Sequence, residues 1–261
     1  MYKYNATIRL KTILTHSNLL DNYTSEVKNQ IIKDNCAAME DLMARGCAPT
    51  AFFEYVGDGA FKEAYELIGA SDVIIKFCSA SNYTSREEEI LYYAEEDEVD
   101  ELFIPTYFGD LDYELPAAYV EDEDSRYIEV ERQDDNGEWY WTETYNEDYA
   151  ESTLNAFEVQ PRCIVAAGSK KTPMRYYDKS DFEPITFGDF TIDNFDTYCK
   201  MYSINIMEWW EAVFNLYGSD LVNRFLAFQG KYQICDLHWN NVGFYVKNGV
   251  EYPIILDWLS N

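Results

Sequence analysis

The chain is short of positive charge and of metal-binding side chains. It carries 20 Lys and Arg against 48 Asp and Glu, a formal net charge of −28. Such a balance repels a phosphate backbone and argues against direct binding of DNA or RNA. Only two histidines occur, His16 and His238, and the six cysteines are widely spaced with no CxxC pair. A structural zinc site of ordinary ligand spacing is thereby excluded. The cysteines read instead as small buried apolar residues in a reducing cytoplasm. No apolar run approaches the about 18–20 residues that span a bilayer. The N-terminus lacks an apolar stretch with a small-residue cleavage site, so neither membrane insertion nor a signal peptide is expected.

What is present is apolar material and acid. Of 261 residues, 47% are hydrophobic and 17% aromatic, enough for a substantial core in one two-lobed unit. The acid is uneven. Ser85 to Glu151 holds 25 Asp and Glu against Arg86, Arg126 and Arg132, while the one net-positive stretch lies near residues 170–179. The acidic quarter reads either as a solubilising face or as a surface that attracts a basic protein or imitates DNA.

Along the chain the hydrophobic period changes. Residues 1–50 read as a helical extension: within Asn18–Arg45, apolar Val27, Ile31, Met39, Leu42 and Met43 predict one or two helices, stopped by Gly46 and Pro49. AFFEYVG and EAYEL predict two strands around a glycine turn, and Val73–Phe77 a buried strand. Thr84–Ala94 predicts a helix capped by Ser85, and Leu102–Phe108 a strand. Residues 110–160 read as an irregular acidic insertion with one hairpin turning at Asn136 and Gly137. Cys163–Ala167 is a further short strand. Helices are predicted over 204–217 and 219–229, split at Gly218, and a last hairpin turns at Asn248 and Gly249. The plan is α+β, with segments at 1–50, 51–168 and 169–261.

Five motifs carry chemistry, and their order suits phosphoryl transfer, which needs positioning and charge stabilisation. Gly57 and Gly59 let a backbone turn approach phosphate oxygens with no Cβ between. Lys76 is a lone charge in an apolar strand, costly to bury unless paired. Glu87, on the following helix, would supply the partner carboxylate, with Glu88 and Glu89 as rivals that only the helix face separates. In DLHWNN, Asp236 would orient an acceptor hydroxyl and accept its proton, and Asn241 would bind a metal. Asp257 closes a short apolar strand, where a carboxylate suits Mg²⁺. His238 reads as a structural member of the loop. Trp209 and Trp210 read as core.

Together these segments resemble the protein-kinase-like superfamily, in the style of the small serine/threonine kinases that phages encode among their early genes. The resemblance covers about residues 51–108 and 219–261. It implies a two-lobed fold with a reduced C-terminal lobe. It also implies ATP and Mg²⁺ as cofactors, and a protein substrate in the host cytoplasm. Asp236, Lys76 and Glu87 would then be catalytic, Gly57, Gly59, Lys76 and Ala167 would bind nucleotide, and Asn241 and Asp257 the metal. CIVAAGS, near Ala166 and Ala167, fits the adenine-contacting hinge better than LPAAYVEDE. There are departures. Lys62 stands where a third glycine is usual, and Ile234 and Cys235 where His and Arg would precede the catalytic Asp. Trp258 and Leu259 follow Asp257, and no activation segment or peptide-presenting helices are expected after it. Two other readings stay open: a small-molecule phosphotransferase, and an acidic kinase-like scaffold that blocks a basic or nucleic-acid-binding host protein.

Overall fold

The computed structural model describes residues 5–58, 62–79, 81–118, 127–133, 139–145, 153–166, 185–187, 190–192, 207–234, 237 and 240–258. It is a mixed α+β chain that divides into two compact units. The first comprises Met1–Ser81 and Gly109–Glu158, the second Asn82–Phe108 and Val159–Asn261. These units do not coincide with the segments drawn from sequence at 51–168 and 169–261. The helix after Lys76 groups with the C-terminal half.

The first unit opens with two helices, α1 (Asn5–His16) and α2 (Ser25–Arg45). The sequence reading missed α1. Thr24 caps α2, its side chain accepting from the Val27 amide, and Gly46 ends it in the left-handed region at φ 59°. Ile31, Met39, Leu42 and Met43 are buried, as the apolar spacing predicts, whereas Val27, in the first turn, is exposed. The strands follow: β1 (Glu54–Asp58), β2 (Lys62–Leu67) and β3 (Ala70–Cys78), successively antiparallel. The helices are built into this unit rather than appended to it. Buried Asn35 on α2 donates to the Ile31 and Ile68 carbonyls at 2.8 and 2.9 Å and accepts from the Ile68 amide at 2.9 Å. It therefore satisfies both backbone groups of a residue in the β2–β3 turn. Asn35→Ala would leave two part-buried groups unpaired, at about 1–3 kcal/mol each. We expect a loss of about 2–4 kcal/mol in urea unfolding; a change below about 0.5 kcal/mol would show that water replaces the amide.

The described residues of the stretch read as an irregular insertion are largely strand. β4 (Tyr107–Pro116) and β7 (Thr153–Pro161) complete a five-stranded sheet in the order β1-β2-β3-β7-β4. β7 is internal to that sheet, which its sequence explains: Leu154, Ala156, Phe157 and Val159 are all buried. Between them, β5 (Tyr127–Gln133) and β6 (Trp139–Tyr145) pair as the expected antiparallel hairpin. Its turn at Asn136 and Gly137 lies outside the described residues.

The second unit starts with α3 (Ser81–Glu96). This helix begins a turn before the expected Ser85 cap, so Ser85 is interior to it. The strand expected at Leu102–Phe108 is instead a short 3₁₀ turn at Asp100–Leu102, then extended chain in which Phe103 bridges Ile255. Further on come β8 (Ile164–Val165), β9 (Ile185–Phe187) and β10 (Phe190–Ile192). α4 (Met207–Tyr232) is broken at Gly218, where φ is 77° and ψ 178°, the split that glycine predicts. β11 (Val242–Lys247) and β12 (Val250–Ile255) form the last hairpin. Asn248 and Gly249 both take positive φ, 53° and 77°, as a two-residue primed turn requires. The core of this unit is aromatic. Trp209, Trp210, Phe225, Phe228 and Trp258 are buried, with Phe103 edge-on to Trp258 at 5.2 Å. Trp209 and Trp210 are core, as expected, and the Trp209 indole donates to the Ile254 carbonyl.

Among the described cysteines only Cys78 is buried; Cys36, Cys47 and Cys163 are half-buried, and all four are free thiols. No described helix is long and apolar enough to cross a membrane.

Candidate functional site

Two groups of residues stand out, one in each unit. In the first unit, the ladder aligns Gly57, Ala64 and Lys76 in one row across β1, β2 and β3. Directly paired residues point to one face of a sheet, so all three share that face, and Lys62 joins it two residues before Ala64. A Cβ placed on Gly57 would meet nothing within 4 Å, so the face is open above this glycine. Gly59 lies outside the described residues.

Lys76 is mostly buried, and a carboxylate beside it is that of Glu158 on β7, at 3.3 Å. The same oxygen, Oε1, lies 3.1 Å from the Lys62 ammonium. Sequence reasoning noted Lys62 only as the substitute for a glycine and missed Glu158. The signal was nevertheless there. In TLNAFEVQP a single acid interrupts an apolar strand, as Lys76 interrupts DVIIKF. Two lone, opposite charges in two buried strands are natural partners, because neither is affordable alone.

In the second unit, the helix face distinguishes the three acids of α3. Glu87 is fully buried, in step with Ile90 and Ala94, whereas Glu88 and Glu89 are exposed. Glu87 is therefore the acid that this helix turns inward.

Asn241 and Asp257 come together at the open end of the β11–β12 hairpin. The Asn241 carbonyl accepts from the amides of Leu256 and Asp257, at 2.7 and 3.3 Å. The cause lies in the register, which starts with Val242 opposite Ile255 and so brings the flanking residues face to face. Both are half-buried. β8 joins the same end, Val165 pairing with Gly243 and Ile164 with Phe244. That approach is close: a Cβ on Gly243 would stand 2.3 Å from the Ile164 carbonyl oxygen. Ala166, next along, is buried in this core, so the described part of the hinge candidate CIVAAGS lies along β11; Ala167 lies outside the described residues.

Asp236 and His238 also lie outside the described residues. The chain on either side is well held. α4 ends with Gln233 at φ 56°, and the Ile234 amide closes on the Gln229 carbonyl, a left-handed cap on a residue other than glycine. Ile234 and Leu237 are both buried.

Among the described residues, no group of three or more His, Cys, Asp or Glu side chains is placed to hold a metal. Asn241 and Asp257 are a pair of oxygen donors, and that chemistry fits Mg²⁺, which takes one or two protein carboxylates and fills the remaining positions with water and phosphate oxygens. Comparison with protein-family models, with curated proteins and with solved structures found no match.

Proposed function

We propose that this chain is an ATP- and Mg²⁺-dependent protein kinase of the protein-kinase-like superfamily. It transfers the γ-phosphoryl group to Ser or Thr hydroxyls of a partner protein. The observation that carries the reading is the meeting of Asn241 and Asp257, two oxygen donors joined through the backbone directly after the Asp236 loop. A lysine on the third strand, followed by a helix with one inward-turned acid, is the order in which protein kinases hold their phosphate-binding Lys and its Glu.

In this reading Lys76 holds phosphate oxygens, and Gly57 leaves room for them. Asp236 orients the acceptor hydroxyl and takes its proton. Asn241 and Asp257 would hold Mg²⁺, which neutralises charge on the β- and γ-phosphates. The acidic stretch from Ser85 to Glu151 favours a basic protein as the partner, such as a host protein met by a phage early product in the host cytoplasm.

The test is labelling with γ-labelled ATP and Mg²⁺. Wild-type chain is expected to label itself or a protein in a lysate. Asp257→Asn, and separately chelation of Mg²⁺, are expected to abolish the label. Protein label that persists in Asp257→Asn sinks the assignment, and label found only in small molecules makes the enzyme a small-molecule phosphotransferase. The charge of residues 85–151 favours one further reading, an acidic scaffold that binds a basic partner without catalysis. It predicts no thermal stabilisation by ATP and Mg²⁺, whereas a ligand at about 100 times its dissociation constant adds about 2.7 kcal/mol.

A further inference from the structure

We propose that Lys62, Lys76 and Glu158 form a polyphosphate-binding site, in which the Glu158 carboxylate is a resident anion that the incoming polyphosphate displaces. The identity of the anion rests on the kinase reading; the geometry does not.

Glu158 has no exposed surface, Lys62 is 7% exposed and Lys76 is 15% exposed. Both ammonium groups lie against one oxygen, Oε1, so their nitrogens are at most 6.4 Å apart, the sum of the two distances. Neither carboxylate oxygen is hydrogen-bonded: the two lysine contacts on Oε1 are ion pairs without hydrogen-bond geometry, and Oε2 is buried beside them. The neighbouring buried acid on β2 shows what a settled carboxylate looks like in the same sheet. Glu63 Oε2 accepts from the Tyr65 hydroxyl at 2.6 Å and from the Ala118 amide at 3.1 Å. Successive residues of a strand face opposite ways, so Glu63 serves the other side of the sheet.

Two cations crowded onto one oxygen, with neither oxygen of the buried carboxylate hydrogen-bonded, is a poor arrangement for a permanent structural pair. It is a good one for a placeholder. A polyphosphate brings several anionic oxygens, so each ammonium takes its own, and charge-assisted bonds to phosphate are strong. The row beside the lysines has the necessary room: Gly57 has no side chain and open space above it, and Ala64 has only a methyl group. Lys62 then takes over the holding role that a third glycine's backbone would have played.

The test is titration of the full chain with sodium tripolyphosphate, metal-free and at low ionic strength, by calorimetry and thermal shift. Wild type is expected to bind. Lys62→Met, which leaves Lys76 paired with Glu158, is expected to bind at least tenfold more weakly. Glu158→Gln, which keeps the shape and removes the competing charge, is expected to bind at least tenfold more tightly. Should Glu158→Gln not fold, the double variant K62M/E158Q takes its place and must bind more tightly than K62M. Equal affinity of K62M and wild type overturns the proposal. So does unchanged or weaker binding on loss of the Glu158 charge, or no binding by wild type. The kinase reading fails separately: lysine-dependent tripolyphosphate binding without protein labelling removes that reading alone. Labelling with tripolyphosphate binding indifferent to Lys62 and Glu158 removes this proposal alone.

Discussion

Asp236→Ala is expected to lower phosphoryl transfer by a factor of about 10²–10⁴, the range for losing a positioned general base. In the proposed mechanism the carboxylate both orients the acceptor hydroxyl and receives its proton, and neither role passes to a neighbour in DLHWNN. Ile234 and Cys235 precede it, so no adjacent arginine substitutes. The anchoring of this stretch falls to others: the left-handed cap at Gln233 and the buried Ile234 and Leu237. Stability is therefore expected to hold while the rate falls. Initial rates with labelled ATP, read beside the thermal midpoint and the affinity for ATP and Mg²⁺, separate these effects. A rate within threefold of wild type would remove Asp236 from the chemistry. A rate lost together with the thermal midpoint would make it a structural residue.

Glu158→Ala is expected to cost about 3–5 kcal/mol of stability, the usual penalty for removing one partner of a buried ion pair. The physical reason is what remains: two largely buried lysines that have lost the carboxylate they share. Their repulsion adds to the desolvation each already bears. For a chain of this size the thermal midpoint would fall by about 10 °C. Lys62→Met should cost far less, because it leaves one lysine facing one carboxylate and fills the space with an apolar chain of similar length. Replacing all three by apolar residues of matching volume should recover most of the loss. Urea unfolding of the four proteins checks the series. If Glu158→Ala were no worse than Lys62→Met, the pairing would carry no energy.

Much of the local structure was legible beforehand. The chain stops at Gly46, breaks at Gly218 and turns at Asn248 and Gly249, because each of these needs a backbone conformation that few residues adopt cheaply. Lone Lys76 in an apolar strand marked itself by its cost. Errors arose where local signals compete. Ser85 has a capping side chain, yet α3 starts at Ser81. Val27 fits the apolar spacing of α2 but sits in its first turn, exposed. Acid-rich 110–160 reads as irregular by composition outside its one hairpin, although Leu154, Ala156, Phe157 and Val159 make Thr153–Pro161 an inner strand.

By itself, then, the sequence determined the turns, most of the helices and strands, and the candidates Lys76, Glu87, Asn241 and Asp257. Those features depend on backbone preference and on the price of a misplaced charge, both properties of a few neighbouring residues. Only the tertiary structure decided that Glu158 meets Lys76, which of Glu87, Glu88 and Glu89 turns inward, and that Asn241 touches the residue sixteen positions on. Each of these depends on burial and strand register. A carboxylate's energy changes sign with its surroundings, and the surroundings of Glu158 include Lys62 of β2 and Lys76 of β3, 96 and 82 residues earlier in the chain.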